Sequence, residues 1–349
     1  MSASCEHERP AGNRDVIVIG GSAGSLRPLQ ILMGALPTDL PAAVLVALHQ
    51  HRDSPGRLGE ILDAAGPLPA AMAEEGQPLE HGRIYVAPPD RHLLVGTGQV
   101  HVRRGPRENS SRPAIDPLFR SAAAECSTRV IGVVLSGMLD DGAAGLWAIK
   151  QCGGVTVVQD PLDAAYPEMP RSALDHVEVD HVVPAGKIAP ALVRLSRAPR
   201  SPPVEVPEQI RLEALIAGEE LFVMPDQQRL GSLTSLTCPE CDGSLQEIRE
   251  GTLVRYRCHT GHGFTLDTLQ KAGLEAWERT LYGGFRTQQQ QAMVARRLAE
   301  VARQRGQIRS AEEFDRRAQD YEEGAMVIRQ LIARDGGARS GAAAEQIVR

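Results

Sequence analysis

The sequence lacks any apolar run long enough to cross a membrane, and residues 1–14 lack the apolar core of a signal peptide. We therefore expect a cytoplasmic protein with no membrane insertion. An excess of basic residues is also missing, since 38 Lys and Arg stand against 44 Asp and Glu, for a net charge of -6. Non-specific nucleic-acid binding needs a basic surface, so this class of function is disfavoured.

Cysteine is scarce, with six residues in a chain of 349. Three are scattered and three are clustered: Cys5, Cys126 and Cys152, then Cys238, Cys241 and Cys258. So few cysteines in a protein of this size do not indicate a disulfide framework. The cluster instead indicates a metal site in the second half of the chain.

Apolar runs alternate with helical patterns from Asp15 to about Arg197. This alternation is typical of a mostly parallel sheet with helices on both faces, so we predict a doubly wound, Rossmann-like α/β domain at 15–197. The other predicted segments are a flexible tail (1–14), a linker with a short helix (198–237), a zinc-ribbon-like module (238–264), a helical hairpin (265–335) and a second flexible tail (336–349).

The helical hairpin is predicted from one apolar stripe and its turn signals. Apolar side chains recur at alternating four- and three-residue steps, as in a coiled coil: Phe314, Ala318, Tyr321, Ala325, Ile328 and Ile332. Ser310 with Glu313 matches a capping box at the start of the second helix. The turn is therefore predicted at Arg305–Gly306.

A serine stands where an apolar run meets a helical pattern. Val16–Ile19 predicts a buried strand, and a helix is predicted from Leu26 onward, so Ser22 lies on a sharp strand-to-helix turn. Glycines around such a turn let a substrate approach, and the helix N-terminus favours negative charge. The glycine spacing does not match G-x-G-x-x-G, and no Gly-Lys-Ser/Thr follows. These mismatches disfavour a phosphate site and leave a nucleophile as the alternative.

A nucleophilic serine needs a base and a carboxylate to orient it. His49 follows the second predicted strand, and Asp140 and Asp141 follow another strongly apolar strand. Because parallel strands end at a shared edge, these groups can meet Ser22 there. The alternatives are a loop histidine and helix-capping aspartates. An H-x-H-x-D pattern that includes His51 offers a further alternative, a hydrolytic metal site.

The clustered cysteines form a C-x-x-C…C-x-x-x-H pattern. Two short knuckles of this kind can present four ligands tetrahedrally, which suits a structural zinc ion: Cys238, Cys241, Cys258 and His262. His259 is an alternative fourth ligand, although the Gly261 turn favours His262. Free thiols in a reducing compartment are the other alternative.

Six separated segments between Asp15 and Leu195 form one set. They are Ile19-Gly-Gly-Ser-Ala-Gly24, the strand end at His49, Ala87-Pro-Pro-Asp-Arg-His92, Arg112-Pro-Ala-Ile-Asp-Pro-Leu-Phe119, Leu135-Ser-Gly-Met-Leu-Asp-Asp-Gly-Ala143, and the stretch from Gln159-Asp-Pro to Tyr166-Pro-Glu-Met-Pro170. Together they resemble the catalytic domain of CheB, the chemoreceptor glutamate methylesterase. The resemblance implies hydrolysis of glutamyl methyl esters on chemoreceptors, with glutamine deamidation in some members, and no cofactor for catalysis.

The resemblance also implies residue roles. Ser22 becomes the nucleophile, His49 the general base and Asp141 the orienting acid, because Asp141 aligns with the Gly-Met-x-x-Asp-Gly pattern of the family. For the oxyanion we expect backbone N–H groups near Ala23 and Met138, which lie at glycine-adjacent turns on the same edge. The segment from Pro161 to Pro170 and the His92 side chain are expected either to shape a substrate groove or to be structural.

Three features depart from the family pattern. Ser25 and Leu139 stand where glycine is frequent, and Ala23 stands where a hydroxyl residue is frequent. Only about fourteen residues precede the first strand, so we expect no receiver domain and no gating by phosphorylation within this chain.

The second half resembles the C-terminal extension of receiver-less CheB-like proteins. We expect it to bind a methylated receptor, a partner methyltransferase or a second copy of the chain, the last through the C-terminal helices. The alternative function is a non-catalytic signalling adaptor that uses the zinc module and the helices to bind partners.

Overall fold

The computed structural model describes residues 12–218 and 230–346, with side chains as far as residue 334. Up to residue 197, the described chain contains nine strands: β1 (Val16–Gly21), β2 (Ala43–Leu48), β3 (Ala70–Met72), β4 (Ile84–Val86), β5 (His92–Gly96), β6 (Gln99–Arg103), β7 (Val130–Val134), β8 (Val155–Gln159) and β9 (His181–Val183). The α-helices there are α1 (Leu26–Gly34), α2 (Leu58–Asp63), α3 (Ile115–Cys126), α4 (Ala143–Gln151), α5 (Glu168–His176) and α6 (Ala185–Arg197).

Seven of these strands form one parallel sheet in the order β3-β4-β2-β1-β7-β8-β9, and β5 and β6 form a separate antiparallel hairpin. Every residue of β1 and β2 is buried. Val16 and Val18 face one apolar core, whereas Ile17 and Ile19 face another on the opposite side of the sheet. Helices cover both faces, so the predicted doubly wound α/β fold is confirmed.

Strand register decides which residues meet at the carboxyl edge of the sheet. Gly21 of β1 lies opposite Leu48 of β2, and Gly20 lies opposite Val134 of β7. Ser22, His49 and the loop after Leu135 therefore leave three neighbouring strands at nearly the same height.

The chain continues through α7 (Glu208–Ala217), which is the short helix predicted in the linker region. Val206 and Ile210 belong to the same apolar core as one face of the large sheet. Four antiparallel strands follow: β10 (Ser232–Thr237), β11 (Ser244–Glu250), β12 (Leu253–Cys258) and β13 (Gly263–Thr265). We call residues 230–268 the cysteine module.

Two long helices complete the described chain, α8 (Leu266–Gln304) and α9 (Ile308–Gln346). The described residues from Gln270 onward form a compact unit of their own. Its turn lies where the sequence predicts it, with Gly306 at φ 72°. The predicted stripe is buried or half-buried, from Phe314 to Ile332. Ser310 lies inside α9 and does not cap it, because the helix resumes directly after the turn.

The predicted ends of the chain fall partly outside the described residues. Residues 1–11 and 347–349 are not described, and α9 extends past residue 335, where the second tail is predicted to begin. None of the described helices is both long and apolar enough to cross a membrane. The cytoplasmic location stays a prediction.

Candidate active site

The carboxyl edge of the sheet brings the serine, the histidine and the aspartate together. His49 Nδ1 lies 3.1 Å from Ser22 Oγ, and His49 Nε2 lies 2.6 Å from Asp141 Oδ2. The His49 side chain is 20% exposed and that of Asp141 is 2% exposed. We call this hydrogen-bonded chain the relay, with the serine at its open end and the carboxylate at its buried end.

The hydrogen bonds fix the tautomer that the relay needs. A buried carboxylate only accepts hydrogen bonds, so His49 Nε2 carries the proton that it donates to Asp141. His49 Nδ1 is then left as an acceptor for the Ser22 hydroxyl. The unprotonated Nδ1 of His49 thus faces the Ser22 hydroxyl, and the general-base role of His49 stays a prediction.

Asp141 receives four donors, which explains how a buried carboxylate stays charged. His49 Nε2 and Ile115 N–H donate to Oδ2, and Asn109 Nδ2 and Asp116 N–H donate to Oδ1. Burial alone would raise the pKa of Asp141, but these contacts outweigh it and lower the pKa to about 2. These donors therefore favour the ionised form of the carboxylate behind His49.

Asp140 has a different environment from its neighbour. Its Oδ1 accepts a hydrogen bond of 2.9 Å from Thr265 Oγ1, and burial raises its pKa to about 6. Neither aspartate side chain caps α4. The N-cap residue is Gly142, which has no side chain, and the N–H groups of Gly142 and Gly145 donate instead to Asp116 Oδ1. The capping interpretation of Asp140 and Asp141 is therefore wrong.

Two polar residues of the site have no counterpart among the sequence-based candidates. Asn109 Nδ2 donates to both Asp141 and Asp116, at 2.9 and 3.0 Å. Asp116 lies in one of the six family-like segments, but the pattern assigns it no role. Asn109 has φ 50°, a left-handed conformation that asparagine tolerates better than most residues. An Asn followed by Ser in a loop is the weak signal that the sequence offers.

The serine turn is built around a second serine. Ser22 N–H donates to Ser136 O and lies 2.9 Å from Ser25 Oγ, and the fully buried Ser25 hydroxyl donates to Ser136 O. Ser25, a departure from the family pattern, thus ties the turn to the loop after β7. Gly24 has φ 77°, which its lack of a side chain allows.

The loop after β7 lies against Ser22. A Cβ atom on Gly137 would come within 2.9 Å of Ser22 Cβ and 1.9 Å of Met169 Sδ. The N–H groups of Ala23 and Met138 donate to no described residue, so both are free to bind an oxyanion. Their oxyanion role stays a prediction.

The remaining candidates of the first domain form no hydrogen bond with the relay side chains in the described part of the chain. His92 is fully buried between Pro106 O and Ala114 N–H, and burial lowers its pKa, so it lines no groove. His51 and Asp53 are exposed and lie 3.6 Å apart. They belong to no metal-ligand cluster in the described chain.

The cysteine module brings its four predicted ligands together. All four ligand atoms of Cys238, Cys241, Cys258 and His262 lie within 4.8 Å of one another. Cys241 and Cys258 Sγ are 3.6 Å apart, and Cys258 Sγ lies 3.5 Å from His262 Nδ1. A tetrahedral site with Zn–S bonds near 2.3 Å has edges of about 3.8 Å, so these donors fit zinc. His259 lies outside this cluster.

Comparisons with known proteins identify relatives of the first half of this chain. The profile of the CheB methylesterase family matches residues 17–192. A Leptospira interrogans protein, provisionally named a protein-glutamate methylesterase/protein-glutamine glutaminase, is 39% identical over 186 residues, covering 53% of this chain and 96% of that protein. Protein-glutamate methylesterase/protein-glutamine glutaminase 2 of Methanosarcina mazei is 36% identical over 192 residues, which cover 53% of this chain and 52% of that protein.

A solved structure agrees with these sequence matches. The crystal structure of the Thermotoga maritima CheB methylesterase catalytic domain superposes with a TM-score of 0.50 at 32% identity. The match covers 98% of that chain and 52% of this one, and residues beyond 192 lie outside the family match. With half of its length matched by the family profile, this chain belongs to the CheB methylesterase family.

Proposed function

We propose that this chain is a protein-glutamate methylesterase that hydrolyses glutamyl methyl esters on a chemoreceptor or a related signalling protein, and that it also deamidates glutamines. The observation that carries this proposal is the relay from Ser22 through His49 to Asp141 at the carboxyl edge of the sheet. A serine activated in this way attacks carboxylic esters and amides alike.

The proposed reaction has two stages. Ser22 Oγ attacks the ester carbonyl while His49 Nδ1 takes its proton, and Asp141 stabilises the imidazolium that forms. The N–H groups of Ala23 and Met138 bind the oxyanion. Collapse of the tetrahedral intermediate returns the proton from His49 to the leaving methoxide, which departs as methanol. Water, deprotonated by His49, then hydrolyses the acyl-enzyme and releases the glutamate.

Methanol release from a methylated receptor tests the proposal. We expect Ser22→Ala to lower the rate on the order of a thousandfold or more, because the acyl-enzyme cannot form. The exposed serine variant Ser201→Ala serves as the control and should retain the wild-type rate. Undiminished methanol release by Ser22→Ala would rule the proposal out.

We also propose that the cysteine module holds a structural zinc ion through Cys238, Cys241, Cys258 and His262. All four tetrahedral positions are then filled by protein, so the ion supplies no catalytic chemistry. Metal analysis should find about one zinc per chain, lost in Cys238→Ser and kept in Cys126→Ser, whose buried thiol lies outside the cluster. Negligible zinc in the wild-type chain would refute the assignment.

For the helical hairpin we propose binding to a receptor, a partner methyltransferase or a second copy of the chain. Several large apolar side chains of this unit are exposed: Trp277, Tyr282, Met293, Val294, Met326 and Val327. Light scattering and pull-down with receptor or methyltransferase distinguish the three. A chain that binds such partners but never reacts with a serine-directed probe would instead support the non-catalytic adaptor.

A further inference from the structure

The loop that carries Asn109 lies between the proposed relay and the cysteine module. On one side, Asn109 Nδ2 donates 2.9 Å to Asp141 Oδ1. On the other side, Asn109 Oδ1 accepts from Thr265 N–H at 3.3 Å and from Thr268 Oγ1 at 3.2 Å. One amide side chain thus joins the relay carboxylate to residues more than 150 positions away in sequence.

Further contacts hold the same loop to the module. Asn109 N–H donates to Gly263 O at 2.8 Å, and Gly263 N–H donates to Arg107 O at 3.2 Å. Thr265 Oγ1 donates to Asp140, the neighbour of the relay aspartate, at 2.9 Å. Since Asn109, Thr265 and Thr268 are all buried, water does not replace these bonds easily.

A buried ion pair anchors the residue before Asn109. Glu108 Oε1 lies 3.0 Å from Arg257 Nη2, and Arg257 Nη1 donates 2.7 Å to Gly261 O. Arg257 directly precedes the proposed metal ligand Cys258. The loop is therefore attached both to β13 and to the knuckle that carries two of the four ligands.

The proposed metal ligands bracket the segment that touches Asn109. Cys258 ends β12, His262 directly precedes β13, and Cys258 N–H donates to His262 O at 3.0 Å. A cation bound to both, and to Cys238 and Cys241, fixes the start of β13 relative to the rest of the module. The position of Thr265, three residues after His262, then depends on metal binding.

We propose that the cysteine module positions the relay: metal-ordered β13 and the first turn of α8 hold Asn109, and Asn109 holds the Asp141 carboxylate in line with His49. Thr265, Thr268 and Asn109 are positioning residues in this scheme, and the metal never meets the substrate. The inference rests on the proposed catalytic role of Ser22, His49 and Asp141. It makes esterase activity depend on a metal site outside the segment that matches the family.

Thr268→Val in the full chain tests the hydrogen-bond link, because it removes the hydroxyl and keeps the side-chain volume. Two readouts are needed: the second-order rate constant for labelling of Ser22 by a fluorophosphonate, and kcat and KM for methanol release. We expect the labelling constant and kcat to fall roughly tenfold with KM unchanged, by analogy with the outer hydrogen-bond partners of metal ligands. Zinc content should not change.

Two matched variants complete this test. Thr268→Ser keeps the hydroxyl and should restore the labelling constant. Thr156→Val removes an equally buried hydroxyl, which donates to Asp180 near the amino end of β8, and should leave the labelling constant at the wild-type value. Thr268→Val that labels as fast as the wild-type chain overturns the proposal.

The metal arm compares Cys238→Ala with Cys126→Ala. The zinc-free Cys238→Ala chain should label about as slowly as Thr268→Val, whereas Cys126→Ala should label as fast as the wild-type chain. The double variant that combines Cys238→Ala with Thr268→Val should be no slower than either single variant, since both changes act on one link. A folded, zinc-free chain with the wild-type labelling constant contradicts the proposal. If methyl esters are not hydrolysed but the labelling differences hold, the proposed substrate fails and the positioning role stands.

Discussion

Asp140 and Asp141 are adjacent in sequence, but the pKa of Asp140 is raised and the pKa of Asp141 is lowered. Four donors keep Asp141 ionised, whereas Asp140 has one described side-chain donor, Thr265 Oγ1, in a buried setting. The sequence identified both aspartates as candidates, and the resemblance selected the one that contacts His49. No residue pattern predicts the difference in pKa, because it depends on donors that come from remote loops.

Asp140→Asn should stabilise the protein at neutral pH. The pKa of Asp140 is about 6 when folded, above the value near 3.9 of an unfolded aspartate, so its contribution to the unfolding free energy falls as pH rises from about 4 to about 6. The neutral asparagine avoids this loss. We expect a gain of about 1–3 kcal/mol at pH 7.5, and about half of it at pH 5.

Urea unfolding of the wild-type and variant chains at both pH values measures this gain. Asp53→Asn is the matched control, because Asp53 is exposed and its replacement should change the unfolding free energy by less than about 0.5 kcal/mol. A gain of the same size at pH 5 and pH 7.5 would show that the titration of Asp140 is not its source.

At the scale of elements, the loop between β7 and α4 packs so closely against the serine turn that a larger side chain at Gly137 would displace Ser22. Gly137→Ala would place a methyl group 2.9 Å from Ser22 Cβ and 1.9 Å from Met169 Sδ. We expect kcat to fall about a hundredfold, because a displacement of about 1 Å at a reacting group costs this much. Steady-state methanol release measures the effect.

Gly186→Ala is the control for this prediction. Gly186 lies in α6 with no atom within 4 Å of an added Cβ, so alanine there should keep the activity and add up to about 1 kcal/mol of stability. Gly137→Ala with wild-type kcat would mean that the loop shifts without moving Ser22.

Strands and the serine turn are predictable because their signals are local. Val16–Ile19 is apolar on both faces, which is the pattern of a strand in the middle of a parallel sheet. The partners of α7 and of the loop at Asn109 are not predictable in this way. The sequence of α7 shows an apolar face after a proline-rich stretch. This pattern does not indicate that Val206 and Ile210 pack into the apolar core on one face of the large sheet.

At the scale of the whole molecule, one buried charge cluster joins α3, α7 and the cysteine module. It contains three acids and three bases, all nearly inaccessible: Glu108, Arg120, Glu213, Glu250, Arg255 and Arg257. Glu213 Oε2 lies 2.6 Å from Arg255 Nη2, and Glu213 Oε1 accepts from Arg257 Nε at 3.0 Å. Burial opposes ionisation of Glu213, but these arginines lower its pKa.

Glu213→Ala should lower the unfolding free energy by about 3–5 kcal/mol, because it leaves buried guanidinium groups without their partner. Denaturant unfolding measures the loss, and Glu205→Ala, at an exposed position shortly before α7, is the control. A loss below about 1 kcal/mol would mean that the remaining carboxylates compensate for the missing charge.

The charge cluster also determines which truncated fragments of the chain keep their buried charges paired. The family profile ends at residue 192, yet Glu108 and Arg120 find ionic partners after it, in Arg257 and Glu213. A fragment ending near residue 197 would expose this pair together with the apolar surface that Val206 and Ile210 now cover. The family match thus ends before the segment that pairs these charges, so we expect a chimaera built from this chain to need residues 12–269 together.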